Sequence, residues 1–127
     1  MRNKLSDLQE PFTEREKADI KRKAKQVITE RVIYFSQIMD VSCERISFRF
    51  QKTRFGSCST KKNLNFNALI VLMPQEIIDY VIVHELAHLI EMNHSDRFWR
   101  EVERIIPNYK LRRKWLKENG IKFIQRI

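Results

Sequence analysis

Glycine and proline are scarce, two and three in 127 residues. Sandwiches and barrels built from many short strands need more of these residues at their turns, so the scarcity argues for a helix-rich fold. Cysteine is as sparse. Cys43 and Cys58 make neither a disulfide framework nor the paired C-x-x-C signature of structural zinc, and both are read as reduced thiols, with a single bridge between them left open. No stretch approaches the roughly 18 apolar residues of a membrane span, and residues 1–16 alternate charges without an apolar leader core. The expectation is a cytoplasmic protein with no membrane contact.

What is present fits one domain over 1–127. A chain of this length hides roughly two-thirds of its unfolded surface, and 43% of its residues are hydrophobic. The formal charge of +9 is uneven. Residues 110–126 carry Lys110, Arg112, Arg113, Lys114, Lys117, Lys122 and Arg126 against Glu118 alone. Such a face attracts nucleic acid or nucleotide through its field, and it equally suits a solvated helix that keeps the chain soluble.

Helical spacing runs over 13–39, where Ile20, Ala24, Val27, Ile28, Val32, Phe35 and Ile38 recur at three- and four-residue steps. Thr13 and Glu16 form a capping-box pattern at its start. Ile46, Phe48 and Phe50 then alternate with polar residues as in a half-buried strand. A polar break at 56–63 follows, and Leu64, Phe66 and Ala68 open a second extended run to Pro74, expected to lie antiparallel to the first. From Pro74 helical spacing returns to about Met92. Ser95 is placed to cap a helix over 96–106 that Pro107 stops, and a basic helix over 109–118 closes at Asn119 and Gly120.

His84-Glu85-Leu86-Ala87-His88 is an H-E-x-x-H motif, and on a helix it places two imidazoles on one face where they can share a cation. A catalytic zinc needs a third protein ligand and keeps one position for water. The remaining histidine, His94, would lie about 15 Å beyond His84 on a continuous helix. The helix must therefore end between them, with Asn93 as a left-handed stop and Ser95 starting the next element, so that His94 folds back. All three histidines of the chain fall in this one window. H-E-x-x-H alone arises by accident on helices rich in Glu and His; the third histidine makes accident a poor account. One Zn2+ per chain on His84, His88 and His94 is expected, with Glu85 as general base for a water that the metal acidifies. No cysteine nucleophile is needed, so Cys58 is not assigned to catalysis.

Arg54-Phe55-Gly56-Ser57-Cys58-Ser59, Leu64-Asn65-Phe66-Asn67, the segment from Tyr80 through His88, and Asn93-His94-Ser95 with Phe98-Trp99 resemble the YgjP-like metal-dependent hydrolases, grouped with the zincin metallopeptidases. The resemblance covers roughly residues 46–115. It implies a zincin-like α+β domain with three histidine ligands and the motif glutamate as base. Phe55 stands where the family usually has Trp, and the chain is expected to lack much of the β-rich N-terminal portion of longer members. The histidine spacing is also that of metzincins, but Glu91 occupies the place of their turn glycine and no Met-turn follows.

The expected fold is α+β: a long N-terminal helix, a small antiparallel sheet, a central H-E-x-x-H helix and two C-terminal helices. In a zincin-like fold Arg54, Ser57 and Asn67 border the cleft and are candidates to orient a substrate; turn chemistry and a solvated cation account for them equally. Tyr80, one turn before His84, is a further candidate, although such a tyrosine is more often core. Asp96 and Glu91 are candidate partners for the ligand imidazoles. The leading expectation is a zinc metallopeptidase acting on peptide or protein substrates. Two alternatives stay open: a metal-dependent hydrolase of nucleotides or phosphate esters, and a nucleic-acid- or protein-binding module with structural zinc. The oligomeric state is left open.

Overall fold

A computed structural model describes residues 10–125; residues 1–9 of the charge-alternating N-terminal stretch, and Arg126 of the basic tail, lie outside the described residues. The first helix, α1 (Glu14–Met39), starts at the capping box read from the sequence. The Thr13 hydroxyl accepts from the Glu16 backbone N–H at 3.1 Å, and the Glu16 carboxylate accepts from the Thr13 N–H at 2.9 Å. Ala24, Ile28, Val32, Phe35 and Met39 form its buried stripe, steps of three and four that keep one face on the core. Ile38 falls off that stripe and is exposed. The helix stops at Asp40, whose left-handed backbone (φ 53°) returns its N–H to the carbonyls of the last turn.

Three short strands follow: β1 (Arg45–Arg49), β2 (Gly56–Cys58) and β3 (Asn63–Asn67), in the order β1-β3-β2. β3 pairs in parallel with β1 and antiparallel with β2. The antiparallel pairing expected for the two longer strands is thus overturned. The cause is β2, hidden inside what reads as a polar break. The chain reverses once before β2 and again at 59–62, where Lys62 takes φ 65°, so β3 regains the direction of β1.

The apolar run after β3 is not extended either. Ala68–Leu72 is a 3-10 helix, capped by Asn67, whose side-chain oxygen accepts from the Leu69 N–H at 3.0 Å. Ala68, Leu69, Ile70 and Val71 are all buried, which erases any periodicity that could have distinguished turn from strand.

Helix α2 (Gln75–Ala87) follows Pro74 and is buried almost all round from Ile77 onward, wrapped by its neighbours. Arg31 of α1 forks onto Asp79 of α2 through two 3.0 Å hydrogen bonds, and Gln75 adds a third to the same carboxylate at 2.9 Å. The bond to Asp79 raises the Arg31 pKa against the opposing effect of burial. Asp79 is buried, so this fork supplies the partner that a buried carboxylate requires. Helix α3 (Asp96–Ile105) is capped by Ser95 as expected. Helix α4 (Tyr109–Ile124) runs straight through Asn119 and Gly120, past its expected end. Gly120 is not a stop: a Cβ there would lie 2.6 Å from the tip of the Phe55 ring and 2.9 Å from Leu116. It is the place where α4 admits Phe55.

Helix propensity alone would make Gly120→Ala stabilising by about 1 kcal/mol. Overpacking against Phe55 is expected to reverse the sign, for a net loss of about 1 kcal/mol. A lower urea midpoint at unchanged slope is the expected reading; a raised midpoint refutes the packing account.

Candidate metal centre

Helix α2 carries His84, and His88 is its C-cap. Beyond that the chain tightens rather than turning left-handed. His88, Leu89 and Ile90 donate to the carbonyls three residues back, at 3.2, 2.9 and 3.0 Å, the short-pitch ending of many helices. Among the described residues only Asp40 and Lys62 have positive φ, so Asn93 is not the left-handed stop expected of it, and the helix ends several residues before Met92. The result is the one the geometry demanded. His94 returns to the face of His84 and His88, and one ring nitrogen from each lies within 4.8 Å of the others.

The donor set fits a divalent ion. Nε2 of His84 and Nε2 of His94 face each other at 3.3 Å, and two nitrogens at zinc-binding distance from one tetrahedral ion lie about 3.3 Å apart. His88 Nδ1 sits 3.2 Å from the Glu91 backbone carbonyl. A carbonyl only accepts, so this nitrogen carries the proton and Nε2 keeps its lone pair. Glu91 therefore serves through its backbone and not through its carboxylate, and Asp96 has no hydrogen bond to any of the three rings. Burial, then the His84 and His88 rings, hold the His94 imidazole below its ordinary pKa; Glu85 opposes this and Arg113 adds to it. The ring therefore stays neutral at neutral pH, the form in which an imidazole can bind a cation.

A single side chain floors the cluster. Phe98, fully buried, stacks on His88 at 4.5 Å and meets His84 and His94 edge-on at 5.1 and 4.9 Å. Trp99 stacks on His94 at 5.9 Å and on Tyr109 at 5.3 Å. The apolar stripe of α3 was legible as packing; its place beneath all three rings was not.

Glu85, 5% exposed, sets Oε2 at 3.2 Å from His84 Nδ1. Gly56 of β2 lies directly over it, and a Cβ there would meet the Glu85 Cγ at 3.1 Å and Oε2 at 3.2 Å. This glycine lets the edge strand approach the carboxylate. Gly56, Ser57 and Cys58 line one side of a cleft of about 280 Å³ whose other side is formed by the histidines, Glu85 and Met92. Burial, then Glu85, pushes the Cys58 thiol up to about 11. It therefore stays protonated, and both cysteines are free thiols.

A second hollow of about 470 Å³ adjoins the cleft and shares Gly56, His84 and Glu85 with it. Phe55, Tyr80, Val81 and Leu116 give it apolar walls; Arg54, Arg113 and Lys117 bring charge. Of the candidate substrate residues, Arg54, Ser57 and Tyr80 thus border the cleft or the hollow. Tyr80 is both core and wall, and burial pushes its phenol up to about 12. Asn67 faces neither space. Its amide donates to the Gln51 and Arg54 carbonyls at 2.6 and 2.9 Å while its oxygen caps the 3-10 helix. It fixes the loop that presents Arg54.

The basic tail divides in the same way. Arg112 is spent on Asn108 and on the Glu76 carbonyl, whereas Arg113 and Lys117 were missed as site residues because a charged helix face reads as solvent-facing. Their spacing around inward-facing Leu116 was the available signal.

The YgjP-like metallopeptidase domain model matches residues 3–119. The chain belongs to that family. This YgjP-like chain also resembles solved structures in fold. The crystal structure of the metallopeptidase zymogen abylysin from Pyrococcus abyssi superposes with a TM-score of 0.66 at 23% identity, covering 74% of this chain and 96% of that one. For the jannalysin zymogen of Methanocaldococcus jannaschii the values are 0.60, 24%, 72% and 95%. For Wss1 from Saccharomyces cerevisiae they are 0.55, 14%, 76% and 79%. Comparison with curated protein sequences gives no match. No helix among the described residues of this YgjP-like domain is long and apolar enough to cross a membrane.

Proposed function

We propose that this chain is a zinc metallopeptidase that cleaves peptide bonds with one ion held by His84, His88 and His94 and with Glu85 as general base. The observation that carries the reading is the 3.3 Å separation of the two Nε2 atoms, the edge length of a tetrahedral site, beside a buried carboxylate. When bound, the ion supplies Lewis acidity that polarises a carbonyl and lowers the pKa of water to about 7.

The chain's own residues do the rest. Glu85 takes the proton of the attacking water and delivers it to the leaving amine. β2 lies at the sheet edge and borders the cleft, so an extended peptide can pair with its unmatched backbone groups. Tyr80 stays protonated, a donor in the adjoining wall. Family membership in a metallopeptidase domain supports peptide or protein as substrate.

The test is hydrolysis of unfolded casein and of nucleoside triphosphates by purified protein, with elemental analysis alongside. About one zinc per chain, casein cleavage abolished by a chelator and restored by zinc, is the expected result. Cleavage of the triphosphate alone would transfer the same centre to phosphate esters; full activity in metal-free protein would remove the reading.

A further inference from the structure

We infer that the hollow beside the metal centre receives a carboxylate of the peptide substrate, selected by Arg54, Arg113 and Lys117; this rests on the peptidase reading of the adjoining centre. The three cations come from separate parts of the chain, the loop before β2 and two successive turns of α4, yet they line one space. None of them has an ion-pair partner among the described residues, whereas Lys17, Arg22, Arg31, Arg104 and Lys114 do. Like charges gathered at one hollow repel one another until an anion enters it. The guanidinium of Arg113 lies 4.7 Å over the Trp99 ring, a contact that helps to place it beside the hollow without pairing its charge with an anion.

Position gives the hollow its meaning. It shares Gly56, His84 and Glu85 with the cleft, so whatever fills it belongs to a residue next to the bond being cut. Its apolar walls suit the methylene stem of a glutamate or the body of a C-terminal residue, with the charge at the rim. A polyphosphate is the poorer occupant. Its several charges would meet apolar walls on one side and the buried Glu85 carboxylate on the other, and no lining residue lies in the first turn of a helix, where backbone N–H groups gather phosphates.

The experiment is a cleavage profile. Zinc-loaded protein is given a proteome-derived peptide library, and the new termini are read by mass spectrometry, with a nucleoside triphosphate assayed in parallel. Cut sites are expected to be enriched about tenfold for a carboxylate at one fixed position, the scale of a charge-assisted pair. An Asp or Glu side chain and a free terminal carboxylate are distinguished by repeating the digest on C-terminally amidated peptides. The double variant Arg113→Gln/Lys117→Gln is expected to lose the enrichment, and Lys110→Gln/Lys122→Gln, which removes equal charge from the same helix away from the hollow, to keep it. Cleavage without acidic preference, or a preference that survives the first double variant, overturns the subsite and leaves the peptidase reading standing. Triphosphate hydrolysis with no peptide cleavage overturns both.

Discussion

Glu85→Gln is expected to lower kcat by about 10²- to 10⁴-fold, the usual contribution of a positioned general base, with zinc content unchanged. The substitution is nearly isosteric in a crowded place. Gly56 lies so close to the side chain that a Cβ there would meet Glu85 Cγ at 3.1 Å, so an amide of the same shape keeps the packing while losing the proton acceptor. The loss should appear in kcat more than in KM, because the proton moves only in the transition state. Elemental analysis with single-turnover kinetics checks both halves. Full activity in Glu85→Gln would leave the centre a structural metal site. Gly56→Ala is not a substitute test, since its Cβ would move Glu85 and the edge strand together.

His94→Ala is expected to weaken zinc binding by more than the roughly 10- to 100-fold that loss of an outer partner costs, and activity should fall with occupancy. His84 and His88 remain on their helix face, but two imidazoles leave the ion half coordinated. Phe98 stays buried beneath the rings, so the far-ultraviolet circular dichroism spectrum should not change. Competition with a chromogenic chelator reads the affinity; a variant that binds zinc as tightly as the parent would exclude His94 from the ligand set. The depressed pKa of His94 fixes a sign. Its neutral form persists to lower pH than that of an ordinary imidazole, so zinc binding by the parent should survive mild acidification.

Local chemistry was the most legible part of the sequence. The capping box at Thr13, the Ser95 cap and the spacing of the three histidines each depend on residues a few positions apart, and each stands in the structure where its spacing puts it. Reasoning failed where a tertiary partner decides the outcome. β2 is three residues of intermediate burial and has no alternation to betray it, so the sense of the β1–β3 pairing was lost with it. Ala68, Leu69, Ile70 and Val71 are buried in succession, which leaves a 3-10 turn and a strand looking alike. Gly120 was read by its habit of ending helices, because nothing near it in sequence announces Phe55, 65 positions earlier. Arg113 and Lys117 became visible only once α4 was laid against Arg54.

The three imidazoles come from an eleven-residue stretch, whereas the neighbouring hollow is assembled from residues 54–56, 80–85 and 113–117. Closing so short a loop costs little entropy. On the proposed reading, the ion-holding part of the molecule is written almost as one word, while the surface that would meet the substrate is a sentence with its clauses far apart. Mutations can rewrite the loop before β2 or the outer turns of α4 without touching the histidines. A centre built in this way can stay constant while the diet it serves changes.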